Sequence, residues 1–299
     1  MAARVDPGVA KRWGLPAGAT AWPTVLLSLT AWAVQGTAIA LAVSGRLHPV
    51  LAVAIGTLAA YVQFTVSHDA AHRAVSRRPL LNDAVGWLAA IALAAPFAAF
   101  RKIHLHHHAH TNDPAEDPDF WVVGRTWPGT LARFFTTWPH YYRFYFTRLV
   151  AKDGVLLQTV AGILLLLTVL GVSFATGHLG AALLYWVLPA QLAVAALALL
   201  FDYLPHRPHT ERGRLRDTVA IDGESAAARA LLDTGFLAQN LHLLHHLFPT
   251  IPWYRYRRAY DEIAPGIRAE GGEIRSVRQV LASLPPRLSR GLVYGRPSS

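Results

Sequence analysis

Fifteen of the 299 residues are histidine, and most of them fall into four clusters. The first is His68-Asp69-Ala70-Ala71-His72, and the second is His104-Leu105-His106-His107-His108-Ala109-His110. The third is Asp202-Tyr203-Leu204-Pro205-His206, followed by Arg207-Pro208-His209. The fourth is Asn240-Leu241-His242-Leu243-Leu244-His245-His246. An α-helix turns once every 3.6 residues, so His68 and His72, four apart, share one face. His104, His107 and His108 repeat the spacing of His242, His245 and His246, and each trio forms a tight triangle on one helical face. Arrays of neutral imidazole suit Fe, Zn, Cu or Ni. The nine histidines 68, 72, 104, 107, 108, 206, 242, 245 and 246 exceed the four ligands of one tetrahedral zinc. They suffice for two octahedral ions with positions left open for oxygen, and iron is the metal whose redox chemistry would use such positions.

The remaining polar residues of the clusters have open roles. His106, His110 and His209 fit a supporting or solvent role as well as ligation. Asn240, beside the fourth cluster, is a further candidate of that kind. Asp202 precedes His206 by four residues and shares its face, where it would orient a histidine, bind metal directly or through water, or cap a helix end. His48, His140 and His178 stand alone and read as structural. No Glu-x-x-His pair and no His-Glu-x-x-His motif occurs, which disfavours ferritin-like di-iron carboxylate and zinc-hydrolase chemistry. Cysteine is absent, so disulfides, thiolate zinc, iron–sulfur clusters and c-type haem attachment are excluded.

The elements that must position these histidines are apolar. Hydrophobic residues make up 53% of the chain and charged residues only 15%, against roughly 25% in soluble domains. Residues 13–45, 47–68 and 154–201 contain no Lys, Arg, Asp or Glu, and about 20 such residues span a bilayer. The pattern predicts an all-α polytopic membrane protein with spans at about 22–44, 48–66, 155–176 and 180–201. Short turns at Gly45-Arg46-Leu47 and Gly177-His178-Leu179 pair them into two hairpins. Leu80 to Phe100 is a fifth apolar stretch, interrupted by Asn82, Asp83 and Pro96; it reads as a re-entrant or interface-lying helix. Residues 1–299 read as a single domain, with no signal peptide and a loosely ordered tail over 285–299. Of 28 Lys and Arg, Arg46 alone falls in an inter-hairpin turn. The positive-inside rule therefore places both termini and a histidine-rich helical cap in the cytoplasm, beneath a bacterial-type inner membrane. The net charge of +10 follows from this bias and from attraction to anionic lipid headgroups, without any nucleic-acid partner.

The boxes resemble those of the membrane fatty acid desaturase and hydroxylase superfamily, which carries H-x(3,4)-H, H-x(2,3)-H-H and H-x-x-H-H motifs around a non-haem di-iron centre. The resemblance covers about residues 60 to 260. The phrases His68-Asp-Ala-Ala-His72, His104 to Asn112, Asp117-Pro-Asp119, Asp202-Tyr-Leu-Pro-His206 and Asn240 to Pro249 are similar to those of bacterial β-carotene hydroxylases of the desaturase type, and carotenoid ketolases share some of them. The resemblance implies that the nine histidines bind two iron ions and that O2 is the co-substrate of an oxidoreductase. Asp202 stands where acyl desaturases can carry an asparagine. The implied reaction removes hydrogen from an unactivated C–H bond of a lipid-soluble substrate. Carotenoid ring hydroxylation is the leading expectation, acyl-lipid desaturation the next, and ketolation follows. With no fused carrier domain in the chain, electrons are expected from a separate donor such as a ferredoxin with its reductase. Arg73, Arg77, Arg78, Arg101, Lys102, Arg255, Arg257 and Arg258 would suit an acidic partner or lipid headgroups equally. Trp253, Tyr254 and Tyr256 read as an interfacial aromatic belt. A metal transporter or sensor would need ligating groups at the bilayer midplane, and the interiors of the third and fourth spans have none.

Overall fold

A computed structural model describes residues 5–150 and 154–283; the expected tail over 285–299 lies outside the described residues. A short helix α1 (Val9–Trp13) precedes α2 (Trp22–Val43) and α3 (Pro49–Ala71), the first pair of helices long and apolar enough to cross a membrane. Pro23 and Pro49 sit in the first turns, where a missing N–H forfeits no helical bond. His48 caps α3 by accepting the Val50 N–H at 3.3 Å, which fits its structural reading. The α3 helix runs beyond residue 66 because His68 and Asp69 are buried against the other elements, so their polarity does not end it.

Next come α4 (Pro79–Ala92) and α5 (Phe97–His110), two arms that meet at 97°. Pro96 cannot continue the α4 hydrogen-bond ladder, and Ala94 takes a left-handed φ of 48° to turn the chain. The stretch read as one element to Phe100 is therefore two, and its second arm extends to His110 and carries the second histidine cluster. Both outer ends of the pair lie at the histidine end. Its elbow dips among the spanning helices, where Trp32 donates to the Leu88 carbonyl and Trp186 to that of Ile91. The pair has the bend of a broken span or a re-entrant loop.

Two short helices, α6 (Trp127–Phe135) and α7 (Thr137–Phe144), follow. The second spanning pair is α8 (Leu156–Ala175) and α9 (Leu179–Tyr203). The last stretch of α9, Ala198–Tyr203, widens to π geometry beside the third cluster, as helices often do at functional sites. The histidine end is closed by α10 (Ala226–Gly235), α11 (His242–Leu247), α12 (Tyr256–Ala269) and α13 (Val277–Ala282). Strands β1 (Ala220–Asp222) and β2 (Ile274–Ser276) pair in parallel, Ala220 opposite Ile274, and are the only sheet among the described residues. Leu241, Leu243, Leu244, Ile251, Tyr256, Tyr260 and Ile267 form the core of this cap, with Val9 of α1 packed against them. Arg257 ties the cap together by reaching Asp222 at 3.0 Å and Asp233 at 2.7 Å.

The structure gives internal partners to part of the expected surface. Arg257 is held by those carboxylates, Arg101 pairs with Asp83, Arg255 donates to the Trp13 and Gly14 carbonyls, and Arg77 donates to Leu15. Half of the expected basic docking face is thus committed within the fold, because these guanidiniums close helix ends and loops. Of the expected aromatic belt, Tyr256 is wholly buried, whereas Trp253 and Tyr254 stay half-buried; the Trp253 backbone N–H donates to Asp69 at 3.1 Å.

The elbow depends on two glycines. A Cβ on Gly86 would lie 2.3 Å from the Phe97 ring, and one on Gly162 of α8 would lie 2.7 Å from Pro96. Phe97 is fully buried and has no room to retreat. Gly86→Ala is expected to destabilise the protein by roughly 1–3 kcal/mol through overpacking, read as a lowered thermal midpoint, whereas Gly36→Ala, at a helix position with open space, does not lower it.

Candidate metal centre

Four elements deliver the imidazoles. The C-terminal turn of α3 carries His68 and places His72 at its cap, α5 presents His104, His107 and His108, the chain after α9 presents His206, and α11 presents His242, His245 and His246. All nine are buried or half-buried at one end of the bundle.

They converge as two groups. In the first, ligand atoms of His68, His72, His104 and His245 all lie within 4.8 Å of one another. His72 Nε2 is 2.8 Å from His104 Nε2, His104 is 3.2 Å from His108 Nε2, and His108 is 2.9 Å from His245 Nε2. In the second, His107, His206 and His246 converge within 4.8 Å. His242 Nε2 joins this group at 3.2 Å from His206 Nε2. The groups abut where the His108 and His246 rings lie 4.3 Å apart.

This arrangement fits ions better than it fits hydrogen bonds. An imidazole nitrogen offers one in-plane proton or one lone pair. His104 Nε2 and His108 Nε2 each face two neighbours, so directed hydrogen bonds cannot serve all three contacts. Both nitrogens of His68 and Nε2 of His246 are buried without any partner. Metal–imidazole bonds of about 2.0–2.1 Å put adjacent octahedral ligand atoms about 3 Å apart, which is the spacing of these Nε2 pairs.

The outward nitrogens are held by acceptors. His107 Nδ1 lies 2.8 Å from Asp117 and 3.2 Å from Asp119, and Tyr141 donates to Asp119. His206 Nδ1–H donates to the Asp217 carbonyl at 3.0 Å, and His245 Nδ1 meets the Tyr256 hydroxyl at 2.9 Å. Such partners fix the tautomer and turn the Nε2 lone pair inward. Burial, opposed by no nearby carboxylate, lowers His72 and His242 to about 3 and holds His245 and His246 well below the ordinary imidazole value. Burial also raises Asp119 to about 6 against the attraction of His107.

The supporting candidates are placed differently. Asp202 lines the cavity beside the second group. His106 and His110 stack on each other at 4.0 Å beside Glu116, outside the convergence. His209 packs against Tyr203 and Phe120. Asn240 donates to the Ile221 carbonyl and braces β1 instead of the centre. His140 stacks on Trp121 and contacts the Pro118 carbonyl, and His178 contacts Thr176. Asp117, Asp119 and Tyr256 act behind the imidazoles, a role the sequence does not announce: Asp117-Pro-Asp119 carries only a family resemblance there, Tyr256 reads as an interfacial aromatic, and nothing in the sequence ties Tyr256 to His245.

An apolar cavity descends from the histidines. His68, His104, His107, His242, Asp119 and Asp202 line its polar end, and Leu93, Pro96, Ala99 and Val194 line its apolar end. Asp202 and Val194 are eight residues apart on α9, so the cavity reaches about 12 Å toward the hydrocarbon layer.

A model of the fatty acid desaturase family matches residues 44–278. A β-carotene ketolase of Paracoccus sp. is 32% identical over 218 residues, 70% of this chain and 78% of its own. An sn-1 oleoyl-lipid 12-desaturase of Picosynechococcus sp. is 26% identical over 268 residues, 81% of this chain and 76% of its own. The dihydrorhizobitoxine desaturase of Bradyrhizobium elkanii is 26% identical over 245 residues, 73% and 68% of the two chains.

Two measurements test the outer partners and the buried rings. Tyr256→Phe removes the partner of His245 Nδ1 and is expected to weaken metal affinity roughly 10–100-fold, read by chelator competition. The folded-state pKa of His72 and His242, about 3, lies below an unfolded value near 6.5. The metal-free protein therefore keeps their contribution above about pH 6.5 and loses it as pH falls toward 3. Its thermal midpoint is expected to drop between pH 7 and pH 5.

Proposed function

The chain belongs to the fatty acid desaturase family, and from that premise we propose that it is an O2-dependent di-iron oxidoreductase acting on a C–H bond of a membrane lipid. The observation that carries this reading is the double convergence of nine histidines at the head of an apolar cavity. In the proposed assignment, His68, His72, His104, His108 and His245 hold one ion, and His107, His206, His242 and His246 hold the other. Asp202 is positioned to act beside the second group, and Asn240, His106, His110 and His209 support the surrounding structure.

When bound, two irons supply the redox chemistry that activates O2 for hydrogen abstraction. The protein's own residues do the rest. Asp117, Asp119, Tyr256 and the Asp217 carbonyl hold the imidazoles in a fixed tautomer and orientation. Phe64, Phe100, Ile103 and Phe201 keep water from the substrate side. The elbow at Leu93–Pro96 floors the cavity within the bilayer, so a lipid-soluble substrate reaches the histidines end-on.

The substrate we favour is a carotenoid ring, oxidised by hydroxylation. Support comes from the apolar depth of the cavity, from the motif phrases, and from similarity to proteins named β-carotene ketolase. Acyl-lipid desaturation is the second reading, favoured by a relative named as an oleoyl-lipid desaturase that aligns over 81% of the chain. Arg46 is the one described Lys or Arg at the hairpin-turn end, which supports a cytoplasmic histidine end with both termini on that side. Electrons then come from a separate carrier, a ferredoxin with its reductase in our reading, with Arg73, Arg78 and Arg258 exposed on that side.

Expression in a bacterial host that makes β-carotene, followed by pigment chromatography, tests the substrate. A hydroxylated carotenoid is the expected result. Unchanged pigment with new acyl double bonds supports the second reading, and a keto product replaces hydroxylation by ketolation. His245→Ala is expected to abolish the product while the chain still inserts into the membrane.

A further inference from the structure

At the end of the bundle opposite the histidines, a second cleft opens between α2, α8 and α9. Trp32, Gln35, Ile39, Val169, His178 and Trp186 are among its walls. Its helices α2, α8 and α9 contribute no charged side chain, because residues 13–45 and 154–201 lack Lys, Arg, Asp and Glu. A charged headgroup would find no counter-ion on these walls.

The unusual residue is Gln35. It is 1% exposed, and neither its Nε2 nor its Oε1 has a hydrogen-bond partner. The contrast with Gln63 on α3 is direct. Gln63 Oε1 accepts from Ser28 Oγ at 2.8 Å, and its Nε2 donates to the Ser28 carbonyl at 2.9 Å. The α2–α3 pair thus satisfies one buried amide and leaves the other open. Within the hydrocarbon layer no water substitutes for a missing partner. Other polar atoms of the cleft have partners. Trp32 Nε1 donates to the Leu88 carbonyl, Trp186 Nε1 to the Ile91 carbonyl, Ser173 Oγ to the Val169 carbonyl, and His178 Nδ1 contacts Thr176 Oγ1.

We propose that this cleft binds a neutral amphiphile through a single hydroxyl group, held by the Gln35 side-chain amide. A hydroxyl accepts from Nε2–H and donates to Oε1, so one group satisfies both orphaned atoms. A ketone or ether serves only the amide N–H, and a carboxylate or phosphate brings an uncompensated charge. Gln35 stands eight residues before Val43, about 12 Å inside that end of α2. The hydroxyl therefore enters past His178, and the apolar remainder of the ligand lies along Ile39, Val169 and the faces of the two tryptophans. The site is independent of the metal centre and of the reading drawn from it.

The test uses the full-length protein in nanodiscs and a diazirine-bearing long-chain alcohol, with its methyl ether and the matching alkane as controls. The alcohol is expected to label peptides within 32–43 or 169–186, and unlabelled alcohol to compete roughly five- to tenfold better than the ether, the value of about one net hydrogen bond. Gln35→Leu keeps the volume, removes the orphaned amide, and is expected to abolish that preference without lowering the thermal midpoint. Gln35→Met repeats the measurement with a more adaptable side chain if the leucine variant fails to fold. Equal labelling by alcohol, ether and alkane overturns the proposal, as does a preference that survives both variants.

Discussion

Imidazole nitrogens crowd one another at 2.8 to 3.2 Å inside the protein, and that crowding is the constraint on which the rest of the fold turns. Neutral rings at such distances cannot all satisfy each other by hydrogen bonds, and burial keeps His242, His245 and His246 from escaping by protonation. A structure that gathers them must hold the rings firmly from behind and leave the space between their Nε2 atoms to cations. The acceptors on the outward nitrogens meet the first need. Asp117, the Asp217 carbonyl and Tyr256 come from three separate segments, so the orientation of the rings is a property of the whole cap and of no single motif.

The membrane-embedded part serves the same end. Both hairpins turn away from the histidines and return their chain to them, at His68 on α3 and at His206 beyond α9. The arms α4 and α5 bring the second cluster to meet these two and leave an elbow among the spanning helices. Gly86 and Gly162 let Phe97 and Pro96 pack there at distances no side chain would allow. The cavity between the elbow, α7 and α9 is a consequence: the bend that delivers His104, His107 and His108 also opens an apolar route to them from the lipid side.

Much of this was legible in the residue order. Charge-free runs marked the four crossing helices, and the i, i+3, i+4 spacing marked the histidine faces, because both signals are local and periodic. Features that depend on distant segments were hidden. Tyr256 looked like an interfacial aromatic since its partner, His245, is visible only once α12 packs on α11. Arg101 and Arg257 looked like free surface charge until Asp83, Asp222 and Asp233 folded against them. The fold-back of α5 was concealed by composition: the apolar stretch seems to stop at Arg101, yet Arg101 extends from a continuing helix to pair with Asp83 on α4.

The most direct check is to count the metal in the purified, full-length protein by mass spectrometry, beside a His206→Ala variant. Two buried nests of imidazole lone pairs predict two iron ions per chain, and the variant, which disturbs only the second nest, should retain about one. A single zinc, no metal, or an unchanged iron content in the variant would contradict the account.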